Sequence, residues 1–559
     1  MISHPGLLLI IAAALIAPLR GWPRAALAIA APVLSVVIVL DLEEGARWQT
    51  QFLGMELAPF AVDRLSRLFA LIFALMAAGG ALFALNQERA LELPAALLYA
   101  GSAIGAALAG DLFTLFVFWE LMAVGSTLVL WSAGTAGAYR ASMRYVMVHL
   151  LGGMLLFAGA AGHVLQTGSA SFSAMPLDGL YQGLILAAFL VNAAAWPMSA
   201  WLPDAYPEAS WSGMVFLSAF TTKTAVYVLL RGFPGADLLV YVGLGMVFYG
   251  IVYALLENDM RRILAYSIVN QVGFMITGIG LGTDMALNGA AAHAFTHILY
   301  KALLLMSAGS VLYATGRRKC TDLGGLYRSM PFTTACGITG ALAISSFPLT
   351  SGFVSKSMIS QAAADGHLFV VWMLLAAASA GVFLHAGIKF PWFVFFQKDS
   401  GLRPPEPPWN MRLAMALFAA LCIGLGLVYE PLYRLLPYPV EYQPYTAWHV
   451  VAQLQLLLFS GLAFFVMLGW LRRTLTITLD TDWLYRVAGP RLAEAATALL
   501  VHAMATGAAS YGALAAAIGA QASRLVGAQG LFARTRATGS MALGVMIMLL
   551  AFLVAYYMV

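Results

Sequence analysis

Long apolar runs follow one another along almost the whole chain, and short polar segments separate them. A run of about 20 apolar residues is long enough for one helical crossing of a bilayer. The pattern therefore predicts an all-α, polytopic membrane protein of about sixteen transmembrane helices. The first eight are predicted at residues 5–19, 24–41, 59–85, 92–109, 111–132, 141–166, 179–203 and 210–232. The second eight are predicted at 236–257, 261–282, 286–314, 331–360, 367–396, 409–430, 449–471 and 539–558.

Two of these spans contain helix-breaking residues, around Pro197 and around Pro348. Each break falls in the fourth helix of a predicted five-helix unit, 92–232 or 236–396. Because an odd number of crossings reverses the topology, the pattern predicts two inverted repeats with an ion site near the midplane. Ordinary proline kinks, which are common in membrane helices, are the simpler alternative.

The rest of the chain flanks these two units. Residues 1–91 are predicted to form N-terminal transmembrane helices, the first of which is expected to be a span and not a cleaved signal peptide. Residues 409–559 are predicted to form C-terminal helices. Within them, 495–520 has helical composition but several polar residues, which favours a helix lying along the membrane surface before the last span.

The composition excludes several classes of protein. The chain is 62% hydrophobic and 10% charged, a balance that no soluble domain has. Its basic residues do not cluster among aromatics, so we expect no nucleic-acid partner. Three scattered cysteines argue against a disulfide framework, an iron–sulfur cluster or a zinc site, and no nucleotide-binding motif appears, so we expect no cofactor.

The distribution of Lys and Arg predicts the orientation. With the N-terminus outside, about 21 basic residues fall in inside loops and about 5 in outside loops, a strong positive-inside bias. Both termini are then external. Four basic residues lie within spans, and all are lysines: Lys223, Lys301, Lys356 and Lys389. A buried lysine can lose its proton whereas arginine cannot, so this set favours proton exchange.

The most informative stretch is His293-Ala-Phe-Thr-His297-Ile-Leu-Tyr-Lys301, inside an apolar run. Its three ionisable residues are four apart and share one helical stripe. Because ionisable groups are costly inside a membrane, we interpret them as steps of a buried proton relay. Two core histidines with a snorkelling lysine are the alternative. The His pair lacks a third ligand, so we expect no metal.

A second group surrounds Glu120, the one carboxylate predicted deep inside a span; Asp111, at a span's start, is better explained as an N-cap. A lone buried carboxylate would be neutral or paired. We expect it to pair with Lys223, either as a switch or as a static ion pair. Lys356, after the second break, would end the second unit's path. His385 and Lys389 share a helical face and are possible relay groups, although Lys389 could snorkel.

Six segments along the chain resemble those of the antiporter-like membrane subunits of respiratory complex I and of the Mrp Na+/H+ antiporters, most closely the Mrp D-type subunit. These segments are Phe118-Trp-Glu-Leu-Met122, Trp201-Leu-Pro-Asp-Ala205, Asp259-Met-Arg-Arg-Ile-Leu-Ala-Tyr-Ser267, His293-Ala-Phe-Thr-His-Ile-Leu-Tyr-Lys-Ala-Leu-Leu304, Gly352-Phe-Val-Ser-Lys356 and Asp480-Thr-Asp-Trp-Leu-Tyr-Arg486.

The resemblance implies two inverted repeats, each with a half-channel, joined by a central chain of buried charges. It implies that Glu120 is the glutamate of the first repeat and Lys223 the bridging lysine. The central relay would consist of His293, His297 and Lys301, and the exit lysine would be Lys356.

One departure from the family concerns the first broken helix. The family usually has a lysine nine residues before the tryptophan of Trp201-Leu-Pro, and here that position is Asn192. Asparagine cannot bind and release a proton near neutral pH. Either Lys223 alone partners Glu120, or the first half-channel is altered or idle.

These expectations lead to a proton-translocating subunit of a multisubunit cation/proton antiporter, with Na+ as the expected cation. It would act with other membrane subunits in the cell's inner (plasma) membrane and would not itself be an enzyme. The alternatives are a proton-pumping subunit of a complex I-like or hydrogenase-like redox complex, and a proton-channel partner of an inorganic-carbon uptake system.

Overall fold

The computed structural model of the chain describes residues 4–52, 54–469, 480–527, 530 and 538–558. The chain forms two compact units, Met1–Asp482 and Trp483–Val559, and each is described by itself. Within the described residues, thirteen helical stretches are long and apolar enough to cross a membrane, and four shorter apolar helices accompany them. The predicted all-α, multi-pass membrane architecture is confirmed.

The first unit begins with two helices, a β-hairpin and a third helix: α1 Pro5–Ile16, α2 Gly21–Leu40, β1 Gly45–Phe52, β2 Met55–Val62 and α3 Arg64–Phe83. The prediction that a span begins at 59 was wrong, because 59–62 belong to β2. Asp63 separates strand from helix through a capping box: its carboxylate accepts the Ser66 N–H at 2.7 Å, and the Ser66 hydroxyl accepts the Asp63 N–H at 2.8 Å.

Seven helices cover the region predicted as the first repeat: α4 Glu92–Leu108, α5 Leu112–Ser132, α6 Ala136–Thr167, α7 Leu180–Asn192, α8 Trp201–Ala205, α9 Gly213–Leu217 and α10 Thr221–Gly232. Asp111 is the N-cap of α5, as expected, and accepts the Thr114 N–H at 2.8 Å. The interrupted seventh and eighth spans account for the short helices α7 to α10.

Six helices cover the second region: α11 Leu238–Leu256, α12 Met260–Leu281, α13 Asp284–Thr315, α14 Pro331–Ile344, α15 Ser351–Asp365 and α16 Phe369–Val382. Helix α16 continues into π-helical turns at Phe383–Lys389 and Trp392–Phe396. Helix α12 and most of α13 are buried, and they form the centre of the first unit together with α10. Polar residues on these three helices are therefore shielded from lipid.

The two breaks share one backbone geometry. Helix α7 ends at Asn192 and Ala194 adopts a left-handed φ of 56°; α14 ends at Ile344 and Ser346 adopts the same φ. In each case the following N–H reaches back five residues, from Ala195 to Leu190 at 2.9 Å and from 347 to 342 at 3.0 Å. Both helices thus end in a Schellman motif. The two inverted repeats themselves stay a prediction.

The first unit closes with α17 Trp409–Leu427, α18 Glu430–Arg434 and α19 Ala447–Val466, and the second unit contains α20 Gly489–Val526 and α21 Thr538–Met558. The end of the span predicted at 449–471 lies outside the described residues, as do Arg472, Arg473, Arg534 and Arg536. Helix α20 includes the predicted 495–520. Its length and composition would also allow a membrane crossing, so the surface position stays a prediction.

Candidate ion pathway

The central histidine–lysine stripe lies on α13 and is fully buried. His293, His297 and Lys301 have no measurable solvent exposure. Their spacing places them along one side of α13, where α12 and α15 pack against it. The polar side chains opposite them come from those two helices.

Lys301 is held by neutral oxygens. Its Nζ donates to the Ser267 hydroxyl at 2.8 Å and to the Leu264 carbonyl at 3.4 Å, both on α12. A hydroxyl can accept from an ammonium and can also donate to a neutral amine. The site therefore suits either protonation state of the lysine.

His297 lies one helical turn before Lys301 on α13, and α10, which carries Lys223, packs against the same helix. Both of its ring nitrogens are buried and have no hydrogen-bond partner among the described residues. A buried imidazole without fixed partners can accept a proton at one nitrogen and release one from the other.

His293 links α13 to its two neighbours. Its Nε2 lies 3.1 Å from Gln271 Oε1 on α12, and its Nδ1 lies 3.3 Å from the Ser355 hydroxyl on α15. The Tyr300 hydroxyl is 3.4 Å from the same Nε2. Ser355 directly precedes Lys356, so this network reaches the helix that carries the predicted exit lysine.

Lys356 lies at a cavity of about 600 Å³ in the first unit. Its Nζ has no hydrogen-bond partner among the described residues and lies 4.1 Å from the centre of the Phe274 ring, a cation–π distance. The cavity walls include Asp365, Glu441 and His449. Acidic and imidazole groups thus line a route from Lys356 towards the surface.

Glu120 and Lys223 do not form the expected ion pair. Lys223 is fully buried on α10 and donates to the Ser218 carbonyl at 2.8 Å and the Thr222 hydroxyl at 3.1 Å. Glu120 is half-buried on α5 against Gly153 of α6, and its Oε1 has no hydrogen-bond partner within the described chain. The predicted pairing was wrong because the two side chains face different neighbours.

Asn192, at the lysine position of the family, is buried at the end of α7. Its Oδ1 lies 2.8 Å from Nδ1 of His149 on α6. The His149 ring packs on Tyr145 with ring centres 4.0 Å apart and edge-on against Trp201 at 4.7 Å. The sequence analysis did not single out His149, and this contact gives it a polar partner at the position where the family usually has a lysine.

Lys389 and His385, the two possible relay groups at the end of the second region, differ in their hydrogen-bond partners. Lys389 Nζ donates to the carbonyls of Ala254, Leu255 and Glu257 at 3.0, 2.5 and 2.6 Å, so it caps the C-terminus of α11. His385 Nδ1 contacts the Gly381 carbonyl at 2.8 Å, and its Nε2 has no partner among the described residues.

The sequence interpretation did not single out a second buried carboxylate, Glu92 at the start of α4. It has no solvent exposure and accepts hydrogen bonds from Ser132 at 3.0 Å, from Ser210 at 2.6 Å and from Ser212. Three hydroxyl donors stabilise the carboxylate where it is buried. Glu92 lies at a span boundary, where acidic residues are often helix caps, so its sequence position did not indicate that it is buried.

Taken together, the first unit contains a file of buried exchangeable groups on three adjoining helices: Lys223 on α10, His293, His297 and Lys301 on α13, and Lys356 on α15. Their partners are hydroxyls, carbonyls and one amide, all of them neutral. Hydroxyls, imidazoles and amines can each accept and donate a proton, so such an arrangement can pass a proton between neighbouring bases.

Sequence comparison connects this arrangement to known proteins. Residues 109–382 match the family described as NADH:quinone oxidoreductase/Mrp antiporter, transmembrane. The chain is 28% identical over 435 residues to the D subunit of the Na(+)/H(+) antiporter of Alkalihalophilus pseudofirmus, covering 72% of this chain and 87% of that protein. It is 27% identical over 361 residues to the N subunit of the NADH-quinone oxidoreductase of Desulforudis audaxviator, covering 59% and 72% respectively.

Two solved structures share the fold. A chain of the Mrp complex from a Dietzia species superposes with a TM-score of 0.65 and 22% identity, covering 83% of this chain and 95% of that one. A chain of the archaeal membrane-bound sulfane sulfur reductase gives 0.73 and 23%, covering 99% of each. The chain therefore shares its fold with membrane subunits of these complexes, and its residues 109–382 match the family that NADH:quinone oxidoreductases and Mrp antiporters have in common.

Proposed function

We propose that this chain is a proton-translocating subunit of a multisubunit antiporter that exchanges Na+ or a related cation for protons. The observation that supports this most is the file of buried lysines and histidines from Lys223 to Lys356. The similarity to the D subunit of a Na(+)/H(+) antiporter favours cation exchange as the coupled process.

The relay works because few of its groups can be charged at once. Each buried ion costs several kcal/mol of desolvation, and like charges repel strongly in a medium of low dielectric constant. A proton that arrives at Lys223 therefore disfavours a second one nearby. His297, which has no fixed partner among the described residues, passes it towards Lys301 and His293.

The proton path ends at the cavity beside Lys356. With the orientation predicted from the basic loops, the cavity opens on the outer face, since Asp365 and Glu441 flank outer loops in that arrangement. An unpartnered lysine at the base of a polar cavity can exchange its proton with water. Both the orientation and the role of Lys356 are part of the proposal.

The position of Glu120 supports assembly with other membrane subunits. It lies on one stripe of α5 with Val117 and Val124, which are 54% and 50% exposed. A carboxylate facing lipid would be costly. A neighbouring subunit that covers this stripe would shield Glu120 and could supply its charge partner.

A second candidate is a proton-pumping subunit of a redox complex, driven by neighbouring subunits. The similarity to the N subunit of an NADH-quinone oxidoreductase favours it, as does that to hydrogenase-4 component B of Escherichia coli, 26% identical over 416 residues. In both cases this chain transports ions; in the redox complex, electron transfer would take place in other subunits. Identification of the co-purifying subunits separates the two.

The test is cation-driven proton movement in vesicles that contain the intact complex. We expect Glu120→Ala and Lys301→Ala each to lower the rate about 100-fold, the order of magnitude of a lost proton-transfer group. Lys301→Arg should also be inactive, because arginine stays charged. The exposed Lys398→Ala removes the same charge outside the pathway and should transport normally.

Assembly of each variant is checked by the amount of complex recovered from the membrane. Normal transport by both Glu120→Ala and Lys301→Ala would disprove the relay. If Lys301→Arg transports and Lys301→Ala does not, a fixed charge suffices at this position.

A further inference from the structure

The first repeat has no lysine where the family usually has one, yet a titratable residue lies beside that position. We propose that His149 carries the proton through the first repeat in place of the missing lysine, with Asn192 holding it in position. This inference rests on the proposed transport function and concerns only how the first repeat performs it.

The contact between the two side chains leaves one nitrogen of His149 free. With Asn192 Oδ1 at 2.8 Å, Nδ1 carries a hydrogen and donates it. The other nitrogen, Nε2, is buried and has no hydrogen-bond partner among the described residues. Protonation at Nε2 keeps the Nδ1–H bond to Asn192 unchanged. The ring can therefore gain and lose a proton without moving.

Helix α6 also brings His149 near the acid of the first repeat. A Cβ atom at Gly153 would overlap Glu120 Oε1, so this glycine provides the space that the carboxylate occupies. Positions 149 and 153 are one helical turn apart, with Cβ positions about 5–6 Å from each other. A Cβ at Gly152 would lie 3.2 Å from Asn192 Oδ1. The acid, the amide and the imidazole thus meet along one stripe of α6.

Hydroxyl groups continue the path from His149 towards Lys223. Tyr145, whose ring centre lies 4.0 Å from that of the imidazole, donates to Ser126 at 2.9 Å and lies 3.4 Å from the Thr221 hydroxyl. Thr221 is two residues before Lys223, whose Nζ donates to Thr222. Hydroxyls both accept and donate, so they can conduct a proton between two bases.

A purely structural histidine would explain less of this site. The packing against Tyr145 and Trp201 would suit any aromatic ring, and it does not require a buried, unpartnered Nε2. The groups that face His149 from α7 and α8 are Asn192 and Trp201, which do not ionise. Tyr145 on α6 and Glu120 beside Gly153 are the titratable neighbours. His149 is thus the one base between the acid and Lys223 along this route in the described part of the chain.

The experiment measures cation-driven proton transport by the intact complex in vesicles. His149→Gln keeps a polar side chain beside Asn192 but cannot carry a proton, and we expect about a 100-fold lower rate. His149→Lys restores a base and should retain measurable transport. His163→Gln is the matched control, since His163 lies on the same helix, is partly exposed and contacts Gln182 at 3.1 Å.

A double variant makes the test independent of local packing. Asn192→Lys combined with His149→Gln moves the base to the family's usual position and should regain transport. The pH dependence of His149→Lys should move to higher pH, because an unperturbed lysine has a pKa near 10.4 and a histidine near 6.5. A structural role for His149 predicts no such displacement.

Two results would overturn this inference. One is normal transport by His149→Gln; the other is failure of both lysine-containing variants to recover what His149→Gln loses while the complex still assembles. These results are distinguishable from failure of the proposed function. If the proposed function is wrong, Lys301→Ala transports normally. If only the role of His149 is wrong, Lys301→Ala stays inactive.

Discussion

Four lysines lie within the membrane-spanning helices, and their surroundings divide them into two kinds. Lys389 donates to three carbonyls at the end of α11, which occupies all three N–H groups of an ammonium. Lys223 and Lys301 each contact one carbonyl and one hydroxyl, and Lys356 has no hydrogen-bond partner in the described part of the chain. Proton exchange is easier for these three, because fewer fixed contacts are lost.

Replacement of Lys389 tests this division. We expect Lys389→Met to lower the free energy of unfolding by about 1–3 kcal/mol, because three buried carbonyls lose their donor. The remaining assembled complex should transport at the normal rate per molecule. The measurement pairs the thermal unfolding midpoint of the purified complex with transport, and Lys398→Met is the control. Unchanged stability with lost transport would instead place Lys389 in the relay.

At the residue scale, the sequence predicts the ionisable groups but not their partners. The stripe of His293, His297 and Lys301 follows from helical spacing alone. The error over Glu120 and Lys223 arose because the rotation of α5 and α10 depends on packing with other helices. Ser267 and Gln271 are four residues apart within an apolar span, and that spacing could have identified them.

Among the elements, the two broken helices depend most on special backbone geometry. Ala194 and Ser346 both adopt left-handed φ values although neither is glycine. Such a conformation costs an L-residue about 1–2 kcal/mol. Its occurrence two residues after the helix end in both repeats indicates that the surrounding packing imposes the same ending twice.

Glycine at these positions should relieve the strain. Because glycine adopts a left-handed φ freely but is more flexible when unfolded, we expect Ala194→Gly to stabilise the complex by about 0.5–1 kcal/mol. The neighbouring Ala193, with φ of −71°, is the matched control, and Ala193→Gly should destabilise it. Thermal unfolding of the two variants checks the difference. Equal midpoints would show that the left-handed φ stores no strain.

The length of the apolar runs in the sequence predicts the helices well. The predicted spans each correspond to a helix or to a broken helix. The hairpin of β1 and β2 escaped prediction because Pro59 to Val62 has the composition of an apolar start to the next span. Its strand identity depends on the pairing of Gly45 with Val62, and hydropathy does not register that contact.

At the scale of the whole molecule, the proposed proton route has two different ends. Glu120, in the region predicted as the first repeat, lies at a partly exposed face, and Lys356, in the region predicted as the second, lies beside a cavity of about 600 Å³. Between them, α10, α12 and α13 exclude lipid from the file of lysines and histidines. Because the centre of this route is buried and one end adjoins a cavity, we expect reagents to reach it at that end alone.

Cysteine labelling tests this accessibility. In a chain whose three buried native cysteines are replaced by alanine, we expect Lys356→Cys to react with a small, membrane-impermeant thiol reagent added from outside. The thiol would line the cavity, where water and hydroxide can generate the reactive thiolate. Lys301→Cys is the matched control and should stay unlabelled, because its position has no solvent exposure and does not line this cavity.

The side of labelling decides the orientation as well as the route. Reaction from outside only agrees with a positive-inside arrangement that has an external N-terminus. Reaction from inside only would reverse the orientation while keeping the cavity as an exit. Protection from both sides, with normal labelling of the unfolded protein, would contradict a water-accessible Lys356. The proton would then have to leave through another part of the second repeat, and His385, whose Nε2 has no partner among the described residues, would be the next position to test.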